Sequence, residues 1–200
     1  MPTDQTAAPE WMTQQLHTHL AVAADLETLL PTVDAVADHL CRVFADRGIL
    51  WTFGNGGSAA DAQHFTGELI GHYKRDRAPL PAVTISTDPT TMTCTANDYS
   101  YDDVFSRQIR ALARPGDVVC AFTTSGRSAN VVDALRTGRE AGATTLLFGG
   151  CGGGPALDHA DLALIAPSDQ TARIQEMHTL MLHMISEKVD AWADGSEPQA

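Results

Sequence analysis

No lysine or arginine precedes Arg42, while Asp4, Glu10, Asp25, Glu27, Asp34 and Asp38 punctuate the first forty residues. A secretory leader needs the opposite pattern, a basic start followed by an apolar stretch. Long apolar runs are missing too: residues 118–122 and 146–148 fall far short of the roughly 18 residues that a membrane helix requires. Cysteine is scarce, and Cys41, Cys94, Cys120 and Cys151 stand far apart with no Cys-x-x-Cys pair. That spacing argues against a disulfide framework and leads us to expect reduced, structural thiols in a cytoplasmic protein. Basic charge is in short supply, with 13 Lys and Arg against 25 Asp and Glu for a formal net charge of −12. Nucleic acid and anionic membranes are held mainly by clustered Lys and Arg, so neither is an expected partner.

What is present is a 200-residue chain with 44% apolar residues, enough to bury a core without staples, and we expect one domain over residues 1–200. Residues 11–30 carry apolar positions at helical spacing, and Pro31 can open a second helix that ends near Gly48. Five short apolar runs follow: 49–53, 82–85, 118–122, 144–148 and 162–165. Helical stretches over 59–70, 102–113, 128–141, 155–160 and 171–192 alternate with them. Nearly all-apolar strands alternating with helices predict an α/β fold whose parallel sheet is covered on both faces. Such sheets bind ligands at the carboxyl ends of their strands, where the crossover direction switches.

Two loops there stand out. Gly54-Asn55-Gly56-Gly57-Ser58 lets backbone N–H groups approach an oxyanion at a helix N-terminus, although the same residues also suit a tight turn capped by Ser58. Thr123-Thr124-Ser125-Gly126-Arg127-Ser128 gathers four hydroxyls at the next helix start. A plain Ser128 N-cap accounts for one of them, and phosphate binding accounts for the set.

His64 and Glu68 are four apart and share a helix face; Gln175 and His183 are eight apart, about 80° of helical rotation. Two imidazoles, a carboxylate and an amide oxygen form a set that could hold zinc or a similar divalent ion. Glu68 and His183 are also the residue types that an enediolate isomerisation needs as base and acid. A satisfied core histidine is the other reading of His183, and the preferred one for His72, His159 and His178. Asp98 falls on an expected loop, where it could accept sugar hydroxyls or serve as a turn residue or helix cap.

The stretches FGNGGSAADAQHFTGELIG, TANDYSYDDVFSRQIRALARPGD, TTSGRSANV and ARIQEMHTLMLH together resemble the SIS-fold phosphoheptose isomerases, in order and spacing from about residue 49 to 189. The resemblance implies a three-layer αβα sandwich with a five-stranded parallel sheet, flavodoxin-like. It further implies a homotetramer with active sites between subunits, in which the helical segment 11–47 serves oligomer packing. The implied reaction interconverts sedoheptulose 7-phosphate and D-glycero-D-manno-heptose 7-phosphate, so the expected partner is a phosphorylated seven-carbon sugar.

On matching positions the resemblance makes Glu68 the base and His183 the acid, with His64, Glu68, Gln175 and His183 as ligands of one Zn2+ per subunit. It places Ser58, Thr123, Ser125 and Ser128 on the phosphate and sugar hydroxyls, supported by Asn55, Gly56, Gly57, Thr124, Asp98, Glu68 and Gln175. Two positions depart from the pattern. Arg127 stands where the family usually has asparagine, and Thr171-Ala172 stand where it often has a sugar-contacting aspartate. A non-catalytic SIS-fold regulator of the DnaA-initiator-associating type, or an isomerase of another phosphosugar, are the competing readings; retention of both Glu68 and His183 favours the enzyme over the regulator, and the pairing of the glycine loop with the His64 and Glu68 helix favours heptose.

Overall fold

Five segments of three to six largely apolar residues become strands, β1 Leu50–Gly54, β2 Ala82–Thr84, β3 Val118–Phe122, β4 Thr144–Gly149 and β5 Leu162–Ile165; the central β1, β3 and β4 are buried on both faces, while the edge strand β2 leaves Val83 exposed. The structure, a computed structural model, describes residues 8–199; the first seven residues and Ala200 of the expected domain lie outside the described residues. All four strand pairs are parallel, in the order β2-β1-β3-β4-β5. The crossover direction therefore reverses between β1 and β3, and Gly54 pairs with Phe122 in register. This αβα sandwich with a five-stranded parallel sheet is the expected architecture.

Seven helices surround the sheet among the described residues: α1 Glu10–Asp25, α2 Leu30–Ala45, α3 Gly57–Ile70, α4 Pro89–Asp98, α5 Ser106–Leu112, α6 Ala129–Glu140 and α7 Thr171–Asp194. The period of two along β3 divides the core. Val118, Cys120 and Phe122 face α2, α3 and α7, whereas Val119 and Ala121 face α5 and α6. Phe122 stacks on Phe148 with centroids 4.4 Å apart, and Phe65 of α3 meets both rings edge-on. Each fully buried phenylalanine contributes roughly 1.5–3 kcal/mol, so this aromatic layer fixes α3 firmly on the sheet.

Several expectations need correction. The Asp98 loop is the last residue of α4, a helix opened by Asp88, whose side chain accepts from the Thr90 N–H at 2.9 Å, with Pro89 in the first turn. The helix expected over 102–113 resolves into a 3-10 turn, Tyr101–Asp103, followed by α5. The helix expected over 155–160 is the end of a 3-10 segment, Cys151–His159, interrupted by non-helical Gly152, Gly153 and Gly154. Cys41 and Cys120 are buried structural thiols as expected, but Cys94 and Cys151 are exposed; all four are unpaired. His178 is a buried histidine whose Nε2 bonds the Gly149 carbonyl at 3.0 Å, while His72 is exposed and His159 only half-buried, outside the core assigned to them.

Candidate functional site

The register of β1 and β3 sets the two loops side by side, since Asn55 follows Gly54 and Thr123 follows Phe122. Asn55, Ser58, Phe122, Thr123, Thr124, Ser125 and Ser128 line one polar recess of about 80 Å³. Its wall is rigid. Asn55 and Asn130 exchange reciprocal amide hydrogen bonds of 2.9 and 3.0 Å, and the Tyr101 hydroxyl donates to Asn55 Oδ1 at 3.0 Å. Within the second loop, Thr123 Oγ1 accepts from the Gly126 N–H and Ser125 Oγ from the Arg127 N–H, both at 3.2 Å.

Gly126 has a φ of +62°, and a Cβ there would lie 1.8 Å from the Gly153 carbonyl oxygen. No side chain fits, so the hydroxyl loop is braced directly against the triple-glycine turn. Neither serine acts as a side-chain cap. α3 is preceded by Gly56, with Ser58 already inside its first turn, and Ser128 stands at the N-cap of α6 without a side-chain capping bond. Both hydroxyls therefore remain available to a ligand, beside two helix N-termini that favour negative charge.

The second half of the site lies between α3 and α7. His64 Nε2 is 2.9 Å from Glu68 Oε1, as the four-residue spacing predicts, and 3.2 Å from His183 Nε2. The two imidazoles meet edge-on, and Tyr73 stacks on His183 with centroids 5.3 Å apart and planes at 22°. Burial pushes the His183 pKa down, the neighbouring His64 adds to the effect and Glu68 opposes it. These influences together favour the neutral imidazole of His183.

One donor atom from each of His64, Glu68 and His183 lies within 4.8 Å of the others. A single N–H on His64 Nε2 can donate to only one of its two close neighbours, whereas a cation at the centre accepts all three lone pairs. This nitrogen-and-carboxylate set fits zinc. The fourth expected ligand, Gln175, lies over the glycine loop: a Cβ on Gly57 would be 2.5 Å from its Nε2, so Gly57 makes room for the amide.

Asp98 is occupied locally, with Cys94 Sγ at 3.5 Å and Asn97 Nδ2 at 2.8 Å from its carboxylate, and it is exposed. Arg127, Thr171 and Ala172 are exposed as well. Reading the sequence for chemistry alone passed over Tyr73, Tyr101 and Asn130. The last sits in the first turn of α6, and its amide meets Asn55 because β1 and β3 pair side by side.

The SIS domain family matches residues 16–150 of this chain. A phosphoheptose isomerase of Roseiflexus sp. is 42% identical over 181 residues, covering 90% of this chain and 92% of its own length. One from Paramagnetospirillum magneticum is 47% identical over 179 residues, covering 86% and 93%. The structure of phosphoheptose isomerase GmhA from Neisseria gonorrhoeae is similar with a TM-score of 0.86 at 35% identity, over 91% of this chain and 98% of that one.

Proposed function

The chain belongs to the SIS domain family and, within it, to the phosphoheptose isomerases, and is an isomerase; on that premise we propose that it interconverts sedoheptulose 7-phosphate and D-glycero-D-manno-heptose 7-phosphate. The single observation that carries the assignment is one helix, α3, serving both halves of the site: Ser58 in its first turn lines the hydroxyl recess, and His64 and Glu68 join His183 further along. Six residues separate Ser58 from His64, about 9 Å of helix. The phosphorus-to-C1 span of an extended heptose 7-phosphate, eight bonds at about 1.2 Å advance each, is of similar length.

In this reading the hydroxyls of Ser58, Thr123, Thr124, Ser125 and Ser128 and the amides of Gly56 and Gly57 hold the phosphate without a lysine, which suits a chain of net charge −12. Glu68 removes the C1 proton and returns it to C2 through an enediolate. His183, whose neutral form burial favours, passes a proton between O1 and O2, and Gln175 and Asn55 orient the sugar. Asp98 would contribute from the end of α4. His64, Glu68, Gln175 and His183 would hold a zinc ion, which when bound polarises the substrate oxygens.

We also propose a homotetramer with sites between subunits. The outer face of α1 leaves Trp11 66%, Leu16 56% and Leu20 55% exposed, while its inner face packs on α7 through His19 with Glu176 and Arg173 with the Gln15 carbonyl. An apolar stripe of that kind suits a second copy of the chain. The expected cytoplasmic location is a further part of the reading; among the described residues no helix is long and apolar enough to cross a membrane.

The test is to incubate the protein with sedoheptulose 7-phosphate in deuterium oxide and follow the sugar by NMR. New heptose signals with deuterium at C2 are expected. Binding without turnover would instead support a regulator.

A further inference from the structure

The chain between α3 and β2 is short and crowded with charge, His72-Tyr73-Lys74-Arg75-Asp76-Arg77, and the chemistry proposed above leaves it without a task. Its backbone converges on one buried carboxylate. Asp190 of α7, with no exposed surface, accepts through Oδ2 from the N–H groups of Tyr73, Lys74 and Arg75 at 3.1, 2.7 and 3.0 Å, and through Oδ1 from Arg77 Nε at 2.8 Å. Burial alone would push this carboxyl pKa up, but the amides and Arg77 outweigh it and hold the group ionised.

The Arg77 side chain, 1% exposed, reaches the other way into the end of α3. It donates to the carbonyls of Glu68 at 2.7 Å and Leu69 at 2.6 Å, so its charge meets the negative end of that helix. One guanidinium thus ties the backbone of Glu68 to a side chain two turns beyond His183. The same loop lays Tyr73 flat on the His183 ring, and Lys74 Nζ lies 5.3 Å from the centre of that tyrosine while pairing with Glu187.

We propose that residues 73–77 are a positioning clamp for the α3–α7 cluster: the Arg77–Asp190 pair sets the separation of Glu68 and His64 from His183, and Tyr73 sets the plane of the His183 ring. Tyr73, Arg77 and Asp190 are positioning residues that act through others. Donors on opposite edges of one planar group are what the bridge needs, Nε toward Asp190 and the terminal nitrogens toward Glu68 and Leu69, which is why an arginine serves and a lysine would not. The functional weight of the clamp rests on the isomerase reading; its geometry does not.

The experiment compares Tyr73→Ala, Tyr73→Phe and Arg77→Lys with Asp117→Asn. Asp117 anchors a separate buried network, Ile49 N–H and Trp51 Nε1 both at 2.9 Å, at the opposite ends of the strands, and so controls for general loss of stability. In the whole protein, Tyr73→Ala is expected to lower kcat about tenfold or more with KM within about twofold, and Tyr73→Phe to return it to within about twofold. Arg77→Lys is expected to lose more kcat than an Asp117→Asn protein of equal or lower thermal midpoint. Wild-type kcat in Tyr73→Ala and Arg77→Lys, or losses that merely follow the thermal midpoint, would overturn the clamp. Two-bond 15N–1H spectra of the histidine rings read it without turnover: the His183 pattern should change in Tyr73→Ala and Arg77→Lys but not in Asp117→Asn. If the wild type does not isomerise the sugar, the isomerase reading fails by itself, and an unchanged His183 pattern then overturns the clamp.

Discussion

His178 Nδ1 and Asp61 Oδ2 face each other across 3.9 Å between α7 and α3, and neither atom has a hydrogen-bond partner. Because His178 Nε2 donates to the Gly149 carbonyl, its Nδ1 is a lone pair, and a proton on Asp61 would point toward it. Burial pushes the His178 pKa down to about 4 against the pull of that carbonyl, and pushes the Asp61 pKa up to about 6 against Thr179 and His64.

The signs of these two shifts oppose each other. Taken alone, His178 stabilises the fold above its unfolded pKa of about 6.5, and that contribution, roughly 3 kcal/mol, is lost as pH falls toward 4. Asp61 alone stabilises below about 3.9, and its contribution is lost as pH rises through 6. Between pH 4 and 6 the folded pair carries one proton, on Asp61, and the unfolded pair carries one, on histidine. Urea unfolding at pH 4 to 7 should therefore show Asp61→Asn losing stability toward acid more steeply than the wild type. His178→Gln should lose it toward pH 6 instead. Parallel curves for all three proteins would remove the assignment.

Glu68→Gln nearly preserves volume while removing the proposed base. Isomerisation should fall by about 10² to 10⁴ with the thermal midpoint little changed. Turnover at the wild-type rate would mean that another group takes the C1 proton.

Ser125→Ala with Ser128→Ala removes two hydroxyls of the recess, neither of which is needed as a side-chain helix cap. KM should rise roughly tenfold or more while kcat changes less, the pattern of lost ground-state contacts. An unchanged KM would move the phosphate elsewhere.

Removal of metal by a chelator should lower activity, and zinc should restore it. In His64→Ala the restoring zinc concentration should be about tenfold higher or more, read from a zinc titration of the apoprotein. Indifference to both chelator and zinc would dismiss the ligand set.

Gly126→Ala forces a Cβ into the Gly153 carbonyl at a positive φ. A loss of about 2 kcal/mol or more in urea unfolding is expected, with KM raised because the hydroxyl loop must shift. Wild-type stability would show that the loop has another way to pack.

The strands were legible in the sequence because buried parallel strands have no polar face to obscure them; Val118–Phe122 reads the same in both. α4 escaped because Thr90 to Ala96 carries no apolar period, although Asp88-Pro89 is a helix start that could have been recognised. That omission put Asp98 on a loop. In the site, His64 with Glu68 follows from helical spacing, but the arrival of His183 from 119 residues away does not; residue chemistry offered the grouping and the family resemblance singled it out. Asn130, Tyr73 and Asp190 act through contacts set by the packing of α6 on the sheet and of a loop on α7, which no local pattern announces.

The hydroxyl recess is anchored by strand register, whereas the His64, Glu68 and His183 cluster is anchored by a loop between two helices. Holding a phosphosugar and reacting with it share α3 but are braced from different sides. Selection can erode one without the other: loss of Glu68 from such a chain would leave its sheet and recess intact. An enzyme built this way lies a few substitutions from a sensor.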